Sequence, residues 1–152
     1  MSYTIRPGAA EDFSTIADFN IRMALETEDH QLKRELVEPG VQAVLADDRH
    51  GQYFVAERDG VVVGCLLITY EWSDWRNGNI WWVQSVYVAP EHRRQGVFRA
   101  LCEYAEAEAK ANPHAVGLRL YVEKDNQTAQ TVYEKLGWRR PGYLVMERMF
   151  DR

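Results

Sequence analysis

Apolar residues near the N-terminus recur three and four positions apart. Phe13, Ile16, Ala17, Phe19 and Met23 mark one face of a helix expected from about Glu11 to Leu25. Before it, Tyr3 to Arg6 reads as a short strand stopped by Pro7-Gly8. A second helix is predicted to begin at Pro39, which suits a first helical turn, and to carry Val41, Val44 and Leu45 on one face. Past Gly51 the period changes. Tyr53 to Ala56 and Val61 to Tyr70 are apolar runs joined by Arg58-Asp-Gly60, a hairpin signature. Glu71 to Gly78 reads as a polar-aromatic loop, and Ile80 to Val88 as the next strand. A helix follows from Val97 to about Ala111, with Phe98, Leu101, Cys102, Ala105 and Ala109 on its apolar side and Asn112-Pro113 after it. Leu118 to Val122 is a strand, and Asp125-Asn126 opens a helix through Ala129, Val132, Tyr133 and Leu136 that Gly137 closes. Tyr143 to Phe150 is predicted as a last strand. The order is β, α, α, β, β, β, α, β, α, β, with no internal repeat, linker or low-complexity stretch. A single mixed α/β domain over residues 1–152 is expected.

Composition narrows the function. A chain of 152 residues buries roughly two-thirds of its unfolded surface. A hydrophobic content of 46% with five tryptophans points to a packed core. The net charge of −5 argues against nucleic acid as a partner. Cys65 and Cys102 lie in apolar surroundings, and no metal-ligand spacing accompanies them or the four histidines. No metal is expected. The start, Met-Ser-Tyr-Thr-Ile-Arg-Pro, lacks an apolar signal segment, and no run approaches the roughly 20 apolar residues of a membrane span. A cytoplasmic protein with no membrane partner is the expectation.

Against this acidic background one basic cluster stands out, between a strand and a helix. Gln84-Ser-Val-Tyr-Val-Ala-Pro-Glu-His-Arg-Arg-Gln-Gly-Val-Phe-Arg-Ala-Leu101 runs from strand through a proline-ended turn into a glycine loop that opens the third helix. Such a loop gathers unpaired N–H groups at a helix N-terminus, a seat for a phosphate or pyrophosphate. Arg93, Arg94 and Arg99 add charge in the geometry that phosphate oxygens accept. The plainer reading, a glycine loop that only makes a tight turn, has comparable weight on this loop alone.

Two motifs carry a resemblance. Val86 to Leu101 resembles the acetyl-CoA-binding motif of the GNAT superfamily of N-acetyltransferases. Asn126-Gln-Thr-Ala-Gln-Thr-Val-Tyr-Glu-Lys-Leu-Gly-Trp138 resembles the second motif of that family. The element order agrees along nearly the whole chain. The resemblance implies a central, mostly antiparallel twisted sheet flanked by helices and splayed between its fourth and fifth strands. It also implies acetyl-CoA as co-substrate and transfer of its acetyl group to a primary amine in a ternary complex. One position departs: Phe98 stands where the family places a small residue. Its side chain is expected to turn into the core and leave its N–H available.

Residue by residue, the resemblance implies that the backbone of Val86, Tyr87 and Val88 pairs with the pantetheine arm, a form of strand addition. Arg93, Arg94, Gln95, Gly96, Val97, Phe98 and Arg99 surround the pyrophosphate. Asn126 contacts CoA, and it also suits a helix N-cap. Tyr133 matches the family's general acid, which protonates the departing thiolate; its spacing alone is equally that of a core residue. The base is open. Ile80 to Val88 holds no carboxylate, so Glu26 or Glu71 is the candidate, with Glu28 beside them and Gln84 and Ser85 as holders of a relaying water. Trp72, Trp75, Trp81 and Trp82 divide between core filling and an aromatic pocket for a cationic amine. The acceptor is a small-molecule or peptide amine, and a homodimer is compatible with the family. The alternative is a non-catalytic acyl-CoA sensor or interaction module of the same fold.

Overall fold

At Asp59 and Gly60 the backbone takes φ values of 54° and 78°, the double left-handed pair that a tight hairpin needs. Around this turn the sheet assembles. The computed structural model describes residues 3–152, which part into two compact units, one running to Leu120 and the other over Tyr121–Arg152.

The first unit holds a five-stranded sheet in the order β1-β2-β3-β4-β5. These are Thr4–Pro7, Gln52–Arg58, Val61–Ser73, Gly78–Val88 and Ala115–Leu120. The first four pair antiparallel and β5 joins β4 in parallel. The hairpin runs further than its apolar residues imply, since Trp72 pairs with Asn79 and Ser73 with Gly78. Half of the expected loop over Glu71 to Gly78 is therefore strand. Only the residues between Ser73 and Gly78 turn the chain, with Asn77 left-handed at φ 50°.

Strand alternation sends successive side chains to opposite faces, and both faces are covered. Phe54, Ala56, Leu66, Ile68 and Trp81 pack beneath α3 (Val97–Ala111), whose Val97, Leu101, Ala105 and Ala109 are buried. Tyr53, Val55, Cys65 and Tyr87 face the opposite layer, with Ile16, Ala17 and Phe19 of α1 (Phe13–Glu28) and Val41 of α2 (Arg34–Ala46). Gly64 allows the close approach of α3. A Cβ there would lie 2.9 Å from the Tyr87 carbonyl oxygen and 3.4 Å from Val97 and Leu101 side chains.

Two helix boundaries differ from expectation. α1 continues past Leu25 to Glu28 and stops at Asp29, left-handed at φ 49°. α2 starts at Arg34 and contains Pro39. The helix tolerates the missing N–H because Val37, Val41, Val44 and Leu45 seat it on the α1-side core. β5 begins at Ala115 and ends at Leu120, so the expected strand over Leu118 to Val122 lies further toward the N-terminus.

At one edge, Arg6 Nη1 donates to Asp12 Oδ2 at 2.8 Å and the Ala9 N–H donates to the same oxygen at 2.7 Å. Burial works to raise the Asp12 pKa. The Arg6 hydrogen bond, the Ala9 N–H and the Arg6 charge outweigh it and hold the carboxyl below its ordinary value. A lowered folded-state pKa stabilises above the unfolded value, and that stabilisation is lost as pH falls through the folded one. The thermal midpoint should therefore fall more steeply for the wild type than for Asp12→Asn as buffer is acidified below about pH 4. Parallel slopes would exclude this pair as the cause.

The second unit carries α4 (Gln127–Lys135). The Asn126 side chain accepts from the Ala129 N–H at 3.0 Å, the N-cap anticipated from sequence. At the other end Gly137 is left-handed at φ 97°, with Trp138 N–H to Tyr133 O at 3.0 Å and Gly137 N–H to Glu134 O at 3.1 Å. That is a Schellman closure. The strand expected over Tyr143 to Phe150 is not formed among the described residues. Its apolar residues are exposed, Leu144 and Met146 almost entirely. A strand exists only through its ladder, and no partner pairs with this segment.

Candidate active site

β4 carries an irregularity at the point where its neighbours part. Leu67 pairs with Ser85 but Ile68 pairs with Val83, so Gln84 is the extra residue of a β-bulge. Pairing with β5 ends at the same place, at Val83 and Leu120. Beyond the bulge, residues 84–88 keep β3 on one side and, among the described residues, pair with no strand on the other, so that edge is open within the first unit. This is the splay expected between the fourth and fifth strands.

Strand register determines which polar groups that edge offers. The Ala89 N–H donates to Val63 O at 2.8 Å. Alternation along an antiparallel ladder then turns the N–H and C=O of Val88 and Val86 away from β3. These outward groups match those needed by an added strand-like ligand.

The open edge leads into the glycine loop. Arg94 and Gly96 are both left-handed, at φ 63° and 84°, and α3 starts at Val97 without a side-chain cap. Among the described residues, none of the N–H groups from Arg94 to Arg99 has a hydrogen-bond acceptor. Left-handed turns of this kind and a helix N-terminus aim such amides at a common point, with the positive end of the helix dipole behind them. A cavity of about 470 Å³ opens there, bounded by β4 from Val86 to Val88, the loop, and the last turns of α1.

The side chains of the loop divide. Arg94, which has no ion-pair partner among the described residues, and Arg99, paired with Glu103 at 2.7 Å, line the cavity. Gln95 turns back to accept from Tyr3 Oη at 2.5 Å and to donate to Glu91 O at 3.2 Å. Arg93 also reaches into the protein. Its Nε donates to Val88 O at 2.8 Å and its Nη2 to Glu26 Oε2 at 2.9 Å, with the guanidinium 5.2 Å from the Tyr87 ring centroid. Phe98 does not enter the core, as it was expected to. It is 46% exposed and lines the cavity, because Val97 and Leu101 take the core-facing positions of the first turn of α3.

Of the two candidate carboxylates, Glu26 lines this cavity and Glu71 does not. Glu26 accepts from Tyr87 Oη at 3.0 Å as well as from Arg93. The Arg93 hydrogen bond, helped by Tyr87 and by the Arg93 charge against an opposing desolvation, holds its pKa below the usual carboxylate value. Desolvation, then the bond to Glu26, raises the Tyr87 phenol. Glu71 lies on β3, where it accepts from Trp82 Nε1 at 2.8 Å and pairs with Arg119 at 3.2 Å. Among the tryptophans Trp81 is core, Trp72 and Trp75 are exposed, and none lines the cavity. The Cys65 thiol is pushed up by burial to about 12 and Cys102 to about 11, so neither is an activated nucleophile.

Sequence reading missed the placement of Tyr87 beneath Glu26 and the inward turn of Arg93. No spacing rule joins residues that are 67 positions apart. In the second unit Tyr133 sits on α4 with its ring 5.8 Å from Trp138, edge to face. Among the described residues no group of His, Cys, Asp and Glu gathers to hold a metal, and no helix is long and apolar enough to cross a membrane.

Comparison with known proteins agrees with this geometry. Along its whole length the chain is similar to a possible acetyltransferase from Clostridium difficile 630, with 41% identity, a TM-score of 0.92 and 100% of both chains covered. Lower similarities show the fold alone. A ribosomal-protein-alanine N-acetyltransferase from Brucella melitensis biovar Abortus 2308 has 17% identity and a TM-score of 0.78, covering 98% of this chain and 100% of that one. An aminoglycoside N-acetyltransferase in complex with CoA has 15% identity and a TM-score of 0.77, covering 97% and 95%. Comparison with curated proteins returns no match. The family model for the acetyltransferase (GNAT) family matches residues 16–138. With its bulged fourth strand, splayed edge and amide-lined loop, this chain belongs to the GNAT acetyltransferase family.

Proposed function

We propose that this protein transfers the acetyl group of acetyl-CoA to a primary amine by direct attack in a ternary complex. The observation that carries the reading is the run of acceptor-less amides from Arg94 to Arg99 beside the open edge of β4. A pyrophosphate satisfies those N–H groups, and Arg94 and Arg99 add charge. Val86 and the Val88 N–H pair with the amides of the pantetheine arm, while the Val88 carbonyl keeps Arg93 as its donor, which places the thioester along β4 toward the bulge at Gln84. The amine attacks the thioester carbonyl, the carbon–sulfur bond breaks, and Tyr133 gives its proton to the departing thiolate. Asn126 is assigned to CoA as well as to the cap of α4.

The ammonium proton is assigned to water. Glu26 and Glu71 both already accept from strong donors, and Glu26, held below its usual pKa, is a weak base. The protein is assigned to the cytoplasm, and a homodimer remains compatible with the reading.

A panel of amines assayed for thiol release at fixed acetyl-CoA tests the proposal, alongside calorimetry of acetyl-CoA without acceptor. Binding together with CoA release for at least one amine is the expected result. The engaged state of both candidate carboxylates favours one second reading, an acyl-CoA sensor without catalysis. Micromolar binding with no release across polyamines, amino acids, aminoglycosides and peptide N-termini would select the sensor. No binding would remove both.

A further inference from the structure

Val88 presents the last outward carbonyl of the open β4 edge, and a side chain already occupies it. Arg93 Nε donates to this oxygen at 2.8 Å, while Nη2 is held by Glu26 at 2.9 Å. The guanidinium lies over the Tyr87 ring, and Tyr87 Oη donates to the second oxygen of Glu26 at 3.0 Å. One arginine thus ties three pieces together: the last turn of α1, the end of β4 and the first residue of the phosphate loop. Both carboxylate oxygens are used, and so are two of the guanidinium nitrogens.

We propose that Glu26 and Arg93 form a positioning latch that keeps a donor on the Val88 carbonyl, so that a ligand arm can cover the β4 edge without burying that oxygen unpaired. The inference rests on the acyl-CoA reading above and replaces two expectations drawn from the sequence. Arg93 is not a phosphate ligand, and Glu26 is not the base. The physical reason is asymmetry. In the empty site water satisfies an exposed carbonyl, but an arm lying along the edge excludes that water. An unmatched carbonyl then weakens only those ligands that carry the arm. Glu26 acts through Arg93, because a released guanidinium spreads over many rotamers and leaves Val88.

The test uses calorimetry of two ligands, acetyl-CoA and adenosine 5′-diphosphate, which carries the pyrophosphate and no arm. The variants are Arg93→Met, Glu26→Ala, the double variant and Glu26→Gln. Arg93→Met and Glu26→Ala should each weaken acetyl-CoA about 10-fold, as expected for one unmatched carbonyl, and adenosine 5′-diphosphate less than about 3-fold. The double variant should match Arg93→Met, because the two residues act as one unit. Glu26→Gln should bind acetyl-CoA nearly as the wild type does, since its amide oxygen still accepts from Arg93. Equal weakening of both ligands would make Arg93 a phosphate contact and overturn the latch, as would additive losses. A Glu26→Gln variant as weak as Glu26→Ala would overturn it too. If Arg93→Met does not fold, Arg93→Lys replaces it, since one ammonium on a shorter reach cannot hold Val88 O and Glu26 together; selective weakening of acetyl-CoA is again expected. A wild type that binds no acetyl-CoA is read before any variant and overturns the function itself.

Discussion

Replacing Tyr133 by Phe is expected to lower turnover about 100-fold, the lower range for removal of a general acid, while acetyl-CoA binding changes less than about 2-fold. The substitution keeps the ring, so the edge-to-face contact with Trp138 at 5.8 Å survives and α4 stays folded. The hydroxyl is removed, and with it the transferable proton. Thiolate departure then depends on solvent for its proton, and the loss should be smallest with the most basic amine acceptors, whose attack is easiest. The measurement is single-turnover thiol release with the best amine of the panel, paired with calorimetry. Unchanged turnover would remove Tyr133 from the chemistry. Tyr87 would not inherit the role readily, since its proton is already donated to Glu26 and its pKa is raised.

Leu101→Ala is expected to cost about 3 kcal/mol of stability, within the usual span for a fully buried leucine. Leu101 is 0% exposed and sits where α3 crosses Gly64 on β3. For a chain of this size that loss lowers the thermal midpoint by roughly 6–12 °C. The same leucine holds down the first turns of α3, so stability and the position of the glycine loop are linked. Acetyl-CoA at about 100 times its Kd should restore roughly 2.7 kcal/mol in wild type and variant alike. A loss under about 1 kcal/mol would mean that α3 settles to fill the space the leucine vacates.

Some of this fold is legible residue by residue. The Asp59-Gly60 turn, the Asn126 cap and the Gly137 closure all form as read, because each depends on a few adjacent residues and their φ preferences. The α3 helix over Val97–Ala111 also matches, as its apolar spacing is unambiguous. Pro39 misled the start of α2: a local rule placed it in the first turn, whereas packing of Val37 and Val41 placed it mid-helix. The strand expected over Tyr143 to Phe150 rested on side-chain type alone, and side-chain type cannot supply a partner strand. Phe98 was read as core from its place on the apolar side of α3, yet Val97 fills that place and Phe98 lines the cavity.

The amino-acid order alone settled the element sequence as far as α4, the family and the location of the glycine loop. Those follow from hydrophobic periods and glycine positions, which act over a few residues. Folding alone decided what the loop's side chains do. The Gln84 bulge arises from register between two strands. The inward turn of Arg93 needs Glu26 and Val88 in reach at once, from helix and strand. Contacts of that kind are set by how layers pack, and no spacing along the chain encodes the distance between them.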